Sequence, residues 1–243
     1  MKRYLAILAS LIAIARLHAS WIIRQPTWMI QDVLMVVAFA VILSSWGGSR
    51  GIEYVVSGGI VSESFSIGIN MVGQEVGFSR ITRTLDLYLA SPISPRIFAA
   101  GVFLGSSLFM MPSLLVYTAI AWFIGKPWLT LYSMIISLTL MMLSTLIGLA
   151  IAFSIKKPGN ISAITNPISF ISTALPPVLY PATIIPEPLR VIAISVPTAS
   201  AASIARTLGG IETGIDPTIT LAILSLWIIA AVIAINKVKI KIL

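Results

Sequence analysis

Long apolar stretches separated by short polar ones dominate this sequence. A helix needs about 20 apolar residues to cross the hydrocarbon core of a bilayer, and most of the stretches approach or exceed that length. The pattern therefore predicts six membrane-spanning helices, at residues 28–46, 54–73, 97–123, 128–155, 161–178 and 218–235. Together they predict a single all-α transmembrane domain over residues 1–243.

The first 26 residues are apolar but interrupted by basic and polar side chains. The uninterrupted run, residues 4–15, is too short to span a bilayer. On a helix the polar side chains fall broadly on one side: Lys2, Arg3, Ser10, Arg16, Ser20 and Arg24. This favours an amphipathic helix at the membrane interface, while a signal peptide and a further span stay open as alternatives. His18, the only histidine, is then an interfacial residue rather than a metal ligand.

The second predicted span is the most polar of the six. It contains Glu63, Ser66 and Asn70, and such side chains in a span face protein or a water-filled path rather than lipid. Four glycines of this span would allow close helix contact: Gly58, Gly59, Gly68 and Gly73.

Residues 179–217 are apolar yet interrupted by proline, which cannot lie inside a straight helix. Prolines of this region and just before it are Pro176, Pro177, Pro181, Pro186, Pro188 and Pro197. The pattern predicts short half-helices that dip into the outer leaflet as an external re-entrant segment before the last span, because non-helical backbone at that depth needs protein cover.

Composition and charge fit this prediction. The chain is 58% hydrophobic and 10% charged, against about 25% charged in soluble domains. With both termini inside, twelve of the 16 lysines and arginines lie on the inner side, and the outer side holds Arg50, Lys126, Arg190 and Arg206. The positive-inside rule then predicts a multi-pass protein of the cell membrane with cytoplasmic termini. The net charge of +8 indicates contact with membrane lipids rather than nucleic acid.

The polar stretch 75–96 lies in the cytoplasm under this orientation. On one helix, three-residue spacing produces a polar strip with the members Arg80, Arg83 and Asp86. Leu85 and Tyr88 belong to an apolar strip beside it. An ordinary inner loop anchored to lipid by its arginines is one interpretation, and a short helix that docks into a partner's groove is the other.

The same stretch resembles the coupling-helix region of ABC-2 type exporter permeases. The matching residues are Glu75, Thr84-Leu85-Asp86, Leu89 and Ser91-Pro92-Ile93-Ser94. The proline-spaced segment resembles the re-entrant region of that family at Pro181, Ile185-Pro186, Leu189-Arg190 and Pro197-Thr198. The order of these elements covers the whole chain. In two departures, Arg83 replaces the family's glycine and the charged cluster near Glu75 is thinner.

The resemblance implies the permease subunit of an ATP-driven exporter, paired with a second copy or a related permease. Each permease would receive a cytoplasmic ATPase subunit through its coupling helix. The chain has no phosphate-binding loop motif, so ATP and Mg are expected on the partner, with no cofactor, metal or catalytic residue here. Contacts to the ATPase are expected from Glu75, Arg80, Arg83, Thr84, Leu85, Asp86 and Tyr88, with Leu85 and Tyr88 as anchors. The expected path-lining residues are Glu63, Ser66, Asn70 and Asn166.

Two other classes of function compete with this interpretation. A membrane-embedded enzyme needs a nucleophile with its base, or a metal, and the acidic residues are scattered, with Asp32 expected to stay at the interface. An ion-coupled transporter or a channel would use Glu63 as a buried carboxylate, although bonding to nearby serines is the preferred interpretation. Few aromatic residues are available to line a polysaccharide route, which favours a lipid or an amphipathic drug-like substrate.

Overall fold

The computed structural model describes residues 2–24, 26–90 and 93–237. Within these residues all regular structure is helical, which confirms the predicted all-α class. The α-helices are α1 (Lys2–Arg24), α2 (Pro26–Ser66), α3 (Gly73–Ile81), α4 (Thr84–Ala90), α5 (Pro95–Ser107), α6 (Met111–Phe123), α7 (Pro127–Ser154), α8 (Ile161–Ala174), α9 (Glu187–Ile194), α10 (Pro197–Leu208) and α11 (Pro217–Lys237). A π-helical segment, Ile67–Val72, joins α2 to α3, and a 3₁₀ turn, Leu108–Met110, joins α5 to α6.

Four stretches of the described chain are long and apolar enough to cross a membrane: Pro26–Ile81, Ile97–Phe123, Pro127–Ser154 and Pro217–Asn236. A fifth results if α9 and α10, which are bent by 92°, form one broken span. The structure thus supports four to five long apolar helices, whereas the sequence predicts six spans. The predicted first and second spans share one 56-residue stretch, and α8, with 14 residues, is shorter than the roughly 20 required.

Gly48 folds the longest of these stretches into a helical hairpin. Its φ of 57° and ψ of −138° lie in a region that glycine enters freely and other residues rarely enter. Asp32 and Glu63, about equally far along the chain from Gly48, come within hydrogen-bonding reach of each other. Val36 of the first arm packs in the same buried cluster as Val56 of the second arm. The two arms therefore lie side by side.

The second arm of the hairpin packs closely on α7 through glycines. A Cβ atom on Gly68 would overlap the Ser144 Oγ and lie 2.7 Å from the Met141 carbonyl oxygen. Gly148 of α7 faces the backbone of Gly68 and Ile69 in the same way. Gly73 also meets the backbone of Gly148, which confirms the predicted close helix contact for Gly68 and Gly73. Gly59 instead meets the Tyr117 side chain of α6, and Gly58 meets the Val178 carbonyl of the chain after α8.

Two short helices, α9 and α10, form the core of the proline-rich segment. Pro188 and Pro197 lie in the first turns of these helices. A backbone N–H group in the first turn has no acceptor within the helix, so proline, which lacks this group, costs no hydrogen bond there. The Trp227 Nε1 of α11 donates a hydrogen bond of 2.8 Å to the Ser195 carbonyl oxygen at the bend. This bond holds the two helices against α11.

Arg206 of α10 fastens the same segment to the hairpin. Its side chain is only 3% exposed. The Arg206 Nε donates to Ser57 Oγ at 2.9 Å, and its Nη atoms donate to the carbonyl oxygens of Pro177, at 3.1 Å, and Val178. Its guanidinium carbon lies 3.9 Å from the centroid of the Tyr54 ring. The charge pattern assigns Arg206 only to the outer side. In the structure it is a buried link between α10, the second arm of the hairpin and the chain at Pro177 and Val178.

Helix α1 lies against α5. Its buried side chains Ile14 and His18 contact Gly101 and Gly105, where no side chain obstructs them. Other large apolar side chains of α1, such as Tyr4, are exposed. An exposed apolar face suits a helix in contact with lipid, and the interfacial position of α1 stays a prediction.

Candidate functional site

A groove of about 970 Å³ runs along one face of the hairpin's second arm. Its volume lies at the upper end of the range for small-molecule sites, roughly 300–1,000 Å³. Steps of three or four residues place a row of polar side chains on this face. The row consists of Glu63, Ser66, Asn70 and Gln74. The first arm, α6 and α8 supply mainly apolar walls, so the groove combines an apolar lining with one polar side.

Two carboxyl groups from opposite arms meet in this groove. Asp32 and Glu63 lie within hydrogen-bonding reach of each other, and Ser113 of α6 donates from its Oγ to the Glu63 Oε1. Two carboxyl groups can hydrogen-bond to each other only when one of them carries a proton, so this pair is suited to sharing a proton. The expectation that the acidic residues are scattered is wrong for this pair because the turn at Gly48 brings the arms together, and the position of Asp32 at the interface stays a prediction.

The predicted path-lining residues are found in or beside the groove. Those that line it are Glu63, Ser66 and Asn70. Asn166 of α8 is exposed beside the groove, where its Oδ1 accepts a hydrogen bond of 2.8 Å from the Gln74 Nε2. The Ser66 and Ser169 hydroxyl oxygens are 2.8 Å apart. These polar contacts connect α8 to the second arm and fix that wall of the groove.

A helix end and a separate short helix form the predicted coupling segment. Helix α3 ends at Ile81, and α4 begins at Thr84 after a turn at Thr82 and Arg83. Arg83 has a φ of 58°, in the left-handed region that favours glycine. The single continuous helix predicted here is therefore wrong, because the chain turns at the position where the family's pattern has glycine. Ser91 and Pro92, which belong to the family resemblance, lie outside the described residues.

Arg80, one of the predicted partner contacts, is bonded within the chain. Its Nη1 donates to the carbonyl oxygens of Ala152 and, at 3.1 Å, Ile155. These oxygens lie at the end of α7, where carbonyl groups lack helical donors and a positive charge is favourable. Arg80 therefore joins the segment to α7.

Three other predicted contacts pack inward. Leu85 is only 6% exposed and lies in a buried cluster, and the rings of Tyr88 and Phe98 are 4.8 Å apart. The Glu75 Oε1 lies 3.5 Å from the His18 Nδ1 of α1. Burial lowers the pKa of His18, which favours the neutral imidazole. These side chains hold the segment against α1 and α5.

Other side chains form the outer face of this segment. Leu87 is 73% exposed and lies two residues from the buried Leu85, which places the two leucines on different sides of α4. Phe78 and Ile81 at the end of α3 are also exposed, and both also line the groove. The predicted contacts that stay at least partly accessible and have no inward contact described above are Arg83, Thr84 and Asp86. The apolar part of the accessible surface is therefore Phe78, Ile81 and Leu87, which we call the outer face.

Replacing Arg83 with glycine is expected to stabilise the protein by up to about 1 kcal/mol, because the left-handed backbone is strained for a residue with a Cβ atom. The measurement is the melting temperature followed by intrinsic tryptophan fluorescence. Arg83→Ala is the control, since it removes the side chain but keeps the Cβ atom. A melting temperature of Arg83→Gly no higher than that of Arg83→Ala would contradict the backbone strain proposed at this position.

Long apolar helices around a partly polar groove place the chain among the helical multi-pass membrane proteins. Residues 47–235 match the model of the family described as ABC-2 family transporter protein. The chain belongs to this family and is a permease component of an ABC transporter. Permeases of this family have no ATPase of their own, generally work with an ATPase subunit and often dimerise. The comparison with curated proteins gives no match.

Proposed function

We propose that this chain is the permease subunit of an ATP-driven exporter, that the groove is its transport path, and that α4 docks a separate ATPase subunit. The continuity of one helical arm is the observation that carries this proposal. The arm that bears Glu63 in the groove runs without a break to Ile81 and is followed by α4. A displacement of α4 by the ATPase would therefore reach the groove wall directly.

The outer face supplies the docking surface in this proposal. Exposed apolar and aromatic side chains surrounded by polar ones are typical of the residues that carry binding energy at an interface. Leu87 is the most exposed of the three large apolar side chains, and Arg83, Thr84 and Asp86 would form its polar rim. Leu85 and Tyr88, the anchors expected from the sequence, would instead support α4 from inside.

The membrane arrangement follows from the same proposal. The two arms of the hairpin would be the first two of six spans, α8 with the segment after it the fifth, and α11 the last. Both termini and α4 would then be cytoplasmic, in the cell membrane, and α9 and α10 would form the outer re-entrant segment. A second copy of this chain, or a related permease, would complete the path, and the substrate would be a lipid or an amphipathic compound.

Purification of the chain from its native membranes in mild detergent tests the docking. We expect a stoichiometric ATPase to accompany the wild-type chain and Leu87→Asp to reduce its recovery about tenfold or more, because a charge would enter an apolar contact. Mass spectrometry identifies the bound protein. The melting temperature of Leu87→Asp should stay near the wild-type value.

Two control variants separate docking from folding. Leu208→Asp changes an exposed leucine of α10, far along the chain from α4, and should retain the ATPase. Leu85→Asp places a charge in a buried cluster and should lower the melting temperature itself. A wild-type chain that purifies without an ATPase would contradict the proposal. Full recovery of the ATPase with Leu87→Asp would contradict the assignment of the outer face as the docking surface.

The Asp32 and Glu63 pair favours a second candidate function, a proton-coupled transporter. A carboxyl pair suited to sharing a proton in a membrane-spanning region is typical of proton pathways. An ionophore that collapses the proton gradient should stop proton-coupled transport in vesicles. Export driven by ATP should continue under the same treatment, which separates the two functions.

A further inference from the structure

The charges that line the groove are of one sign. Asp32, Glu63 and Glu75 are its acidic lining residues, and no lysine or arginine from the described part of the chain is among them. His18 also lines the groove. Burial lowers its pKa, which favours the neutral imidazole. The acidic side chains lie among mainly apolar walls with no described lysine or arginine beside them, an arrangement that favours a positively charged ligand.

Buried hydrogen-bonding atoms along the same groove also lack donors. The His18 side chain is 6% exposed, and its Nε2 has no hydrogen-bond partner within the described residues. Because the Nδ1 faces the Glu75 carboxyl group, the neutral ring carries its proton on Nδ1 and leaves Nε2 as an acceptor. The Asn70 Oδ1 and the Ser62 Oγ are buried and likewise find no partner in the part of the chain that the structure describes. All of these residues line the groove.

We infer that the groove binds an organic ammonium cation with a hydrophobic body, held at the carboxyl pair of Asp32 and Glu63. This deepens the proposed function and rests on the groove being the transport path. The ammonium group would donate to the carboxyl oxygens, further N–H groups would reach acceptors such as Asn70 Oδ1, and the apolar body would lie against the walls. Asp32 and Glu63 are then the residues that determine specificity.

Other ligand classes fit these observations less well. A neutral amphipath without N–H groups would leave the carboxyl oxygens and the other acceptors desolvated and unpaired, which is unfavourable in a buried site. An anionic headgroup would meet acidic side chains at close range with no described lysine or arginine in the groove to pair with it. A cation with N–H donors satisfies both the charge and the acceptors.

Dansylcadaverine and its N-acetyl derivative test the inference, because they share one hydrophobic body and differ in the charged amine. Binding to the full chain in detergent is measured by fluorescence anisotropy, with protein-free micelles as the blank. We expect the ammonium probe to bind at least about tenfold more tightly than the acetylated probe. The double variant Asp32→Asn, Glu63→Gln should remove that preference and leave the acetylated probe unchanged.

Glu212→Gln is the matched control, since Glu212 is an exposed carboxylate outside the groove, and it should keep the preference. Equal binding of the two probes by the wild-type chain, or an undiminished preference in a folded double variant, would overturn the inference. Failure here with an ATPase still bound through Leu87 would leave the proposed function intact. A preference for the ammonium probe in a chain that recruits no ATPase would uphold the site and remove the exporter proposal.

Discussion

Replacing Arg206 with leucine is expected to lower the free energy of unfolding by about 3 kcal/mol or more. The change leaves the Pro177 and Val178 carbonyl oxygens without their donor, and each buried unsatisfied group costs about 1–3 kcal/mol. It also removes the contact with the Tyr54 ring, worth up to about 2 kcal/mol when desolvated. Relief from burying the charge offsets only part of this loss, because the backbone carbonyls stay in place.

The melting temperature followed by tryptophan fluorescence in detergent measures this effect. Arg206→Lys should lose less stability than Arg206→Leu, since an ammonium group keeps the charge and can still reach a carbonyl oxygen but lacks the planar fork. Arg50→Leu is the matched control at an exposed arginine and should change the melting temperature little. Equal melting temperatures for Arg206→Leu and Arg50→Leu would show that the buried network does not hold α10 in place.

Several features of the fold were predictable from the sequence because they depend on local patterns. The apolar runs predict helices and a membrane location, and the structure and the family match support both. Ser94 and Pro95 are a second case. The Ser94 hydroxyl accepts from the Ile97 N–H and Pro95 lies at the start of α5, as expected of a serine–proline pair before a helix.

The carboxyl pair was not predictable from such patterns because it depends on the direction of the chain at Gly48. Before that turn is known, Asp32 and Glu63 belong to two separate apolar stretches. The signal that could have found the pair is the double glycine at Gly47 and Gly48, with one acidic residue at a similar distance on each side. A helical hairpin about that point would have placed both carboxyl groups at the same depth.

The docking residues illustrate a different limit. Three-residue spacing predicts a strip that includes Arg80, Arg83 and Asp86 only if the helix is continuous. The turn at Arg83 breaks the periodicity, so the side that faces outward carries Leu87 instead of Leu85. The family's glycine at this position was the available sign that the backbone enters the left-handed region here.

Replacing Gly68 with alanine is expected to lower the free energy of unfolding by about 1–3 kcal/mol, the usual cost of overpacking a close contact. The new methyl group would overlap the Ser144 Oγ, which can rotate away. It would also lie 2.7 Å from the Met141 carbonyl oxygen, which belongs to the backbone of α7 and cannot move alone. The second arm and α7 would therefore have to separate, and both the groove wall and the end of α3 would shift with the arm.

Gly47→Ala provides the matched control, because it makes the same change in the same long helical stretch. A Cβ atom on Gly47 meets nothing within 4 Å, so helix propensity alone should act and stabilise the protein by up to about 1 kcal/mol. The melting temperatures should therefore move in opposite directions, downward for Gly68→Ala and upward or not at all for Gly47→Ala. Adding Ser144→Ala to Gly68→Ala should recover only part of the loss, since the Met141 carbonyl stays. If the double variant regained the full wild-type melting temperature, the clash would lie with the Ser144 side chain alone. The backbones of the second arm and α7 would then be far enough apart to accept the methyl group.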